Sequence, residues 1–254
     1  MPKSRAIRKP SKTNPNAATP PRRQARSSSS PTLNRRIGVL VTAGPTHEPI
    51  DTVRFIGNRS SGAMGIAIAD ELASRGAQCT LLLGPTPLSP THSSIRLLRF
   101  RTTADLQALL AREFPHCDVL VMAAAVADYR PPLTKSGLPG KISRKKQGLT
   151  LRLQATPDLV AGMKALRKPG QMVVGFALEP SKTMLARAAA KLTRKGLDLI
   201  VANPLETMES RTIRATVLSA RGVEMEQPSP VSKQAFARKL ARMLLQRHRA
   251  ATLT

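Results

Sequence analysis

Short apolar runs alternate with amphipathic helical segments along most of this chain of 254 residues. Nearly continuous apolar runs are typical of strands buried on both faces of a parallel sheet. The strands predicted in this way cover residues 37–43, 78–83, 118–123, 172–177 and 197–201, and the helices cover 61–75, 103–114 and 182–195. This alternation predicts an α/β fold, Rossmann-like, with a mostly parallel sheet and helices on both faces.

Three further segments depart from the alternation. Leu149, Leu151 and Leu153 alternate with polar residues, which predicts an exposed antiparallel strand, and 212–226 predicts a hairpin around Gly222. The chain then ends in an amphipathic helix that begins near Ser232. A short helix is also predicted after Thr156, with Thr156 as its N-cap. The sheet therefore has a small antiparallel extension.

The first 33 residues are rich in Pro, Ser, Arg and Lys and have almost no large apolar side chains. Such a segment buries too little surface to offset the entropy cost of ordering, so we predict a disordered basic tail over 1–33 and one domain over 34–254. The net charge is +26, and ten of the 41 basic residues lie in 1–36. We expect weak, nonspecific binding of polyanions by the tail, although its composition also fits a transit peptide.

Cysteine usage and hydropathy suggest where the protein resides. Cys79 and Cys117 each lie inside an apolar run, which predicts buried free thiols in a reducing compartment. No apolar run reaches the roughly 18 residues that a membrane-spanning helix needs. We expect a cytoplasmic location and no membrane partner.

Four groups of residues are candidates for a ligand site. They are Gly44 after the first strand with Ser60, Ser61 and Gly62 before the first helix, Ala123, Ala124, Ala125 and Asp128 after the third strand, the basic loop 141–146, and Lys191 with Lys195 one helical turn apart. Small residues before a helix admit a phosphate, an acid can hold a divalent cation, and lysines neutralise anions. Each group taken alone also fits capping, packing or a solvated face. Together they predict a basic nucleotide crevice at the carboxyl edge of the sheet.

The order of these motifs resembles the bacterial phosphopantothenate–cysteine ligases. The matching stretches are VTAGPTHEPIDTVRFIGNRSSGAMG at 41–65, AAAVADYRP at 123–131, the basic loop from Lys141, TPDLV at 156–160, VVGFALE at 173–179 and KLTRKGLDLIVAN at 191–203. The resemblance implies a ligase of coenzyme A biosynthesis. In that reaction 4′-phosphopantothenate attacks CTP to form an acyl-cytidylate and pyrophosphate, and L-cysteine then displaces CMP, with Mg²⁺ on the triphosphate.

The resemblance also implies roles for individual residues. Asn58 would hold the acyl-cytidylate, Lys141 would support activation at the α-phosphate, and Asp128 would approach the nucleotide and its metal. The remaining nucleotide-binding positions would be Gly44, Ser60, Ser61, Gly62, Ala123, Ala124, Ala125, Pro157, Asp158, Leu159, Val160, Phe176, Lys191 and Lys195. A homodimer is expected, and a separate phosphopantothenoylcysteine decarboxylase would supply the flavin-dependent step, because the residues before position 36 are too few to form it.

The chain departs from the family pattern at two positions. Ala63 stands where many members carry Lys, and the basic loop reads KISRKK in place of a compact K-x-K-K. Two alternatives come from other readings of the same sequence. The fold class also fits an NAD(P)-dependent oxidoreductase, although G-x-G-x-x-G is absent, and the charge fits a nucleic-acid-binding protein, although aromatic residues for base stacking are scarce.

Overall fold

The structure, a computed structural model, describes residues 35–132, 139–144 and 146–252. The fold lies within the compact unit that begins at Arg36. The tail predicted over 1–33 lies outside the described residues, as does Lys145 of the basic loop. The strands are β1 Gly38–Ala43, β2 His47–Pro49, β3 Phe55–Gly57, β4 Gln78–Leu83, β5 Arg96–Arg99, β6 Val119–Met122, β7 Tyr129–Arg130, β8 Gln154–Ala155, β9 Met172–Glu179, β10 Leu199–Pro204, β11 Thr212–Ser219 and β12 Gly222–Ser232.

Five α-helices occur in the described part of the chain, and short 3-10 turns follow or precede some of them. The helices are α1 Ala63–Ser74, α2 Thr103–Glu113, α3 Leu159–Met163, α4 Met184–Lys195 and α5 Lys233–Thr252. Periodicity therefore predicted the main elements to within a few residues. Gly76, with φ +86°, ends the first helical segment where a left-handed residue is needed.

A mostly parallel sheet forms the centre of the fold, as predicted. Its strand order is β12-β11-β10-β9-β6-β1-β4-β5, and β11 is antiparallel to both of its neighbours. The pairs β2–β3 and β7–β8 form two small antiparallel sheets beside it. Because β11 is antiparallel to both β10 and β12, β12 runs parallel to β10 and therefore also to β1. The carboxyl ends of β1, β6, β9, β10 and β12 therefore meet at one edge.

Helices cover both faces of the sheet, and the alternation within β1 explains why. Val39 and Val41 pack with α1 and α5, whereas Leu40 packs on the opposite face with α2, α3 and α4. Successive strand residues point to opposite faces, so a continuous apolar run supplies both cores. Full burial of each such side chain stabilises the fold by roughly 1.5–3 kcal/mol relative to exposure.

Helix α1 lies close to the end of β1 because Gly65 has no side chain. A Cβ on Gly65 would lie 2.5 Å from the Cβ of Ala43, closer than atoms can approach. This approach places the first turn of α1 directly beside the carboxyl edge of the sheet.

Two local predictions are wrong. Leu149, Leu151 and Leu153 are exposed but form no strand, since pairing with β7 is confined to β8. Thr156 does not cap α3, because its hydroxyl donates to the Ala127 carbonyl and the Asp158 side chain caps the helix instead. The hairpin β11–β12 and the final helix agree with the sequence.

Both cysteines are free and buried, as predicted. Burial raises the pKa of the Cys79 and Cys117 thiols to about 12, with a smaller contribution from Asp70 and Asp118 respectively. The thiols are therefore inert at neutral pH.

Within the described ranges, every helix is too short or too polar to span a bilayer.

Candidate functional site

One cavity of about 810 Å³ opens at the carboxyl edge of the sheet. It lies beside the ends of β6, β9 and β10 and the start of α1. The predicted residues that line it are Asn58, Ser60, Ser61, Gly62, Ala123, Ala124, Ala125, Asp128, Pro157, Asp158, Leu159, Val160, Phe176, Lys191 and Lys195. Segments that are up to 137 positions apart in sequence, from Asn58 to Lys195, are thus brought to one site. Of the predicted residues, Gly44 and Lys141 are absent from its lining.

The segment before α1 presents backbone amides to the cavity. Gly62, with φ +73°, is the N-cap residue, and α1 has neither a side-chain cap at this residue nor an acid in its first turn. The Ser60 hydroxyl accepts from the amide of Gly62, and the Ser61 hydroxyl accepts from that of Ala63, both at 3.4 Å. These long hydrogen bonds leave the positive end of the helix dipole able to attract an anion.

Asn58 is anchored across the cavity. Its side-chain amide donates to the backbone carbonyl of Val126 at 2.8 Å, which joins the loop before α1 to the loop after β6. The side-chain oxygen of Asn58 can accept a hydrogen bond from a ligand.

The loop after β6 forms a floor of small residues, and Gly44 supports it from behind. The amide of Ala125 donates to the Gly44 carbonyl at 2.9 Å, and that of Ala124 donates to the Thr42 hydroxyl at 3.1 Å. Gly44 itself adopts φ +82° and packs against Gly62 and Gly84. A Cβ there would lie 3.2 Å from the Gly84 backbone, in a conformation that favours glycine. Gly44 therefore shapes the site without lining it.

The segment 156–160 closes one side of the cavity. The amide of Thr156 donates to the Asp128 carbonyl at 2.9 Å, and the Asp158 carboxylate accepts from the Ala161 amide at 3.2 Å. Asp158 also pairs with Lys195 at 3.1 Å. Asp158 thus caps α3 and holds a cavity lysine in place.

Lys191 is held in a similar way by a buried acid. Its ammonium pairs with Glu179, which also pairs with Arg187 at 3.4 Å. Desolvation acts to raise the pKa of Glu179, but hydrogen bonds and charge from Lys191 and then Arg187 lower it below its ordinary value. Glu179 is therefore ionised at neutral pH, and Lys191 enters the cavity already paired with a carboxylate.

Lys141 lies on a loop that is tied to the turn before β3. The amide of Ile142 donates to the Asp51 carboxylate at 3.1 Å, and Arg54 donates to the Ile142 carbonyl at 3.1 Å. The Pro139 carbonyl accepts from Thr52 at 3.2 Å. The backbone on both sides of Lys141 is therefore fixed, while its own side chain is exposed.

The Asp51 carboxyl group stays ionised over a wide pH range and so keeps this contact. Desolvation acts to raise its pKa, but amides of Val53, Ile142 and Arg54 and the Arg54 charge lower it to about 2. A carboxyl group with a lowered pKa stabilises the fold above its ordinary value of 3.8, and the contribution is lost as the pH falls towards 2. The tie to the loop should therefore persist throughout the neutral range.

The donor set of the site fits a metal that is bound mainly by a substrate. In the residues that the structure describes, His, Cys, Asp and Glu form no group of three or more that could hold an ion. Asp128 lines the cavity as an exposed carboxylate. One carboxylate together with substrate phosphates is a common arrangement for Mg²⁺, which keeps several waters.

Sequence reasoning missed several lining residues. Asn203 lies next to the last residue of β10, Glu209 pairs with Arg59 at 3.5 Å, and Lys233 begins α5. The end of a strand was a usable signal for Asn203. Lys233 had no local signal, because its place in the cavity follows from the position of β12 in the sheet.

Comparison with known proteins identifies the family. The family model described as DNA/pantothenate metabolism flavoprotein C-terminal domain matches residues 35–247. A crystal structure of the C-terminal domain of a coenzyme A biosynthesis bifunctional protein CoaBC is 31% identical, with a TM-score of 0.68, and the match covers 82% of this chain and 93% of that one. A DNA/pantothenate metabolism flavoprotein from Streptococcus pneumoniae is 26% identical, with a TM-score of 0.70 over 84% of this chain and 99% of that one.

Curated relatives are longer proteins. CoaBC of Mycobacterium bovis is 42% identical over 174 residues, which cover 65% of this chain and 41% of that protein. A prokaryotic protein named cysteine/cysteine sulfinic acid decarboxylase is 44% identical over 168 residues, covering 66% of this chain and 46% of that protein. The chain thus spans less than half the length of these relatives. The family resemblance read from the motifs is confirmed, and the chain belongs to the DNA/pantothenate metabolism flavoprotein C-terminal domain family.

Proposed function

We propose that the chain is a phosphopantothenate–cysteine ligase of coenzyme A biosynthesis that uses CTP. The main support is that five of the six segments carrying the resemblance line one cavity with a helix start, a floor of small residues and paired lysines. Membership of a family whose relatives include coenzyme A biosynthesis bifunctional proteins supports the same assignment.

The proposed reaction has two steps that need positioning and charge stabilisation. The carboxylate of 4′-phosphopantothenate attacks the α-phosphate of CTP, and pyrophosphate leaves. The amine of L-cysteine then attacks the acyl carbon, CMP leaves, and an amide forms with release of a proton. Binding in fixed geometry removes most of the entropic cost of both encounters.

Individual residues take roles that suit their positions. The α1 start at Ser60 to Gly62 cradles phosphate, Ala123 to Ala125 leave room for the flat base, and Asn58 orients the acyl-cytidylate. Mg²⁺, when bound, would neutralise triphosphate charge beside Asp128.

An assay of pyrophosphate release tests this proposal. The full chain is mixed with phosphopantothenate and cysteine and with either CTP or ATP, and we expect release with CTP to exceed release with ATP. A parallel arm measures carbon dioxide from cysteine or cysteine sulfinate without nucleotide. If carbon dioxide is released and no nucleotide causes release of pyrophosphate, the ligase is rejected in favour of a decarboxylase, the activity after which one relative is named.

A phosphopantothenoylcysteine decarboxylase is the proposed functional partner. The product of the ligase keeps the cysteine carboxylate, which is the group that such a decarboxylase would remove. The bifunctional naming of CoaBC relatives and the matched fraction of 41% support a decarboxylase acting with this domain.

A homodimer is also proposed, as the resemblance implies. Exposed apolar side chains occur on and beside the two small sheets, including Val53 at 60%, Phe55 at 47% and Tyr129 at 58% exposure. Strands β2 and β7 are neighbours, so these side chains belong to one region of the surface. Burial against a second copy would remove this apolar area from water.

Sedimentation equilibrium tests the dimer. We expect the full chain to sediment at twice its mass of 27.4 kDa, and Phe55→Glu with Tyr129→Glu to shift it to the monomer. A monomeric wild-type chain at tens of micromolar would contradict the dimer.

A further inference from the structure

Lys233 lies at the cavity although it is far in sequence from the predicted site. It is the first residue of α5, which follows β12. Since β12 runs parallel to β1, α5 begins at the same edge of the sheet as α1, and both helices pack on the same face. The Lys233 side chain is half-buried and lines the cavity together with Met64 and Ile213.

The charge of Lys233 is the exception among the cavity cations. Arg59, Lys191 and Lys195 each pair with a carboxylate, namely Glu209, Glu179 and Asp158. No hydrogen bond or ion pair of the Lys233 ammonium is formed with any residue that the structure describes. The cavity therefore presents one cation whose charge its described neighbours leave unbalanced.

Burial of this ammonium has a measurable electrostatic cost. Desolvation lowers the pKa of Lys233 below its ordinary value of 10.5. A partly desolvated cation without a counter-ion is unfavourable, and an anion arriving from solution would relieve that cost. A lysine ammonium is a common point-charge partner for phosphate.

We propose that Lys233 is a binding residue of this site that contacts a phosphate group of a substrate. The inference rests on the proposed function for the identity of that substrate. Two phosphates fit the chemistry, the triphosphate of the nucleotide and the terminal phosphate of phosphopantothenate. In either case Lys233 adds a charge on the α5 side of the cavity, opposite in the fold to the lysines of α4.

A purely structural role for Lys233 predicts that anion binding is unchanged when its charge alone is removed. The aliphatic part of a lysine can cover apolar neighbours while its head stays wet. Methionine would preserve that packing and remove the charge. Lys233→Met should therefore keep the thermal midpoint of the wild type or raise it, and Lys233→Arg should retain anion binding.

The test measures binding by isothermal titration calorimetry with the full chain. The probes are CTP, phosphopantothenate and inorganic tripolyphosphate, with cytidine and pantothenate as matched ligands that lack phosphate. Lys233→Met should lower the affinity for at least one phosphorylated probe by about 10- to 100-fold, as expected for loss of a charged contact. The affinities for the phosphate-free ligands should be unchanged. The probe whose affinity falls identifies the substrate that carries the phosphate.

Lys239→Met is the matched control. Lys239 is on the same helix, but its ammonium donates to Gln227 at 2.6 Å and it is absent from the cavity lining. Its replacement removes the same charge and should leave all five affinities unchanged. In turnover, loss of the charge at position 233 should appear mainly as a raised KM, and Lys233→Arg should restore the KM of the wild type.

The outcomes separate this inference from the ligase proposal. If the chain shows no ligase turnover but tripolyphosphate binding falls in Lys233→Met, the ligase proposal fails and the Lys233 assignment stands. If turnover is present and all phosphorylated probes bind Lys233→Met as they bind the wild type, the Lys233 assignment alone is overturned. A wild-type chain that binds no phosphorylated probe also overturns it.

Discussion

Lys141→Gln is expected to lower kcat for pyrophosphate release by about 100- to 1000-fold, with little change in thermal stability. The resemblance implies that this lysine stabilises negative charge at the α-phosphate, and glutamine keeps its approximate length without the charge. The side chain is exposed and takes part in no described ion pair, so its loss should not disturb the fold.

Hydrogen bonds from neighbouring residues hold the backbone at Lys141 in position. Pro139 and Ile142 are bonded to the turn at 51–54, so the backbone that carries Lys141 is held on both sides. The side chain lies outside the cavity lining. We therefore expect the long Lys141 side chain, and not its tied backbone, to move towards the bound nucleotide.

Steady-state pyrophosphate release, together with a thermal unfolding curve, measures this effect. Lys182→Gln is the control, because Lys182 is exposed, lies outside the cavity lining and carries the same charge. It should leave kcat unchanged. Wild-type kcat in Lys141→Gln would reject the role assigned to this lysine.

Asn58→Asp is expected to slow amide formation by about 100-fold while slowing pyrophosphate release by less than about 10-fold. The wild-type amide donates to the Val126 carbonyl, which a carboxylate cannot do. Aspartate would instead turn away from this carbonyl and place a negative charge near an anionic intermediate. The second step suffers more because the acyl-cytidylate exists only after pyrophosphate has left.

Single-turnover kinetics separates the two steps. Pyrophosphate is measured without cysteine, and cysteine is then added to the trapped acyl-cytidylate. Asn203→Asp is the comparison, since Asn203 lines the same cavity and donates to Thr207 at 2.8 Å. It adds the same charge and should weaken nucleotide binding without changing the balance between the steps. Unaltered amide formation in Asn58→Asp would contradict the role of Asn58.

Periodicity predicted the central sheet because buried parallel strands are continuous apolar runs. It failed at the margins. Strands β2 and β3 have three residues each, so no period could identify them inside the loop between Ala43 and Ala63. The alternation at Leu149 to Leu153 has no partner strand among the residues that the structure describes, and a strand pattern without a partner forms no ladder.

The candidate site was predicted for a different reason. Parallel strands end at one edge, so residues that follow them converge wherever the sheet order allows. Asp128 follows β6, Phe176 lies in the second half of β9, and Asn58 lies in the long loop between β1 and α1. All three line one cavity. Fold class alone did not separate a ligase from an NAD(P)-dependent oxidoreductase, since both use this edge. Membership of the pantothenate metabolism family favours the proposed ligase over the oxidoreductase.

The sequence by itself determined the sheet, the helices on its faces and the chemical types of the residues at its carboxyl edge, because periodicity and motif order are local properties. The tertiary structure alone decided the charge balance of the cavity. Lys195 is neutralised by Asp158, 37 positions away, whereas the ammonium of Lys233 has no partner among the described residues. Coulomb interactions depend on distance through space, and only the folded chain sets those distances.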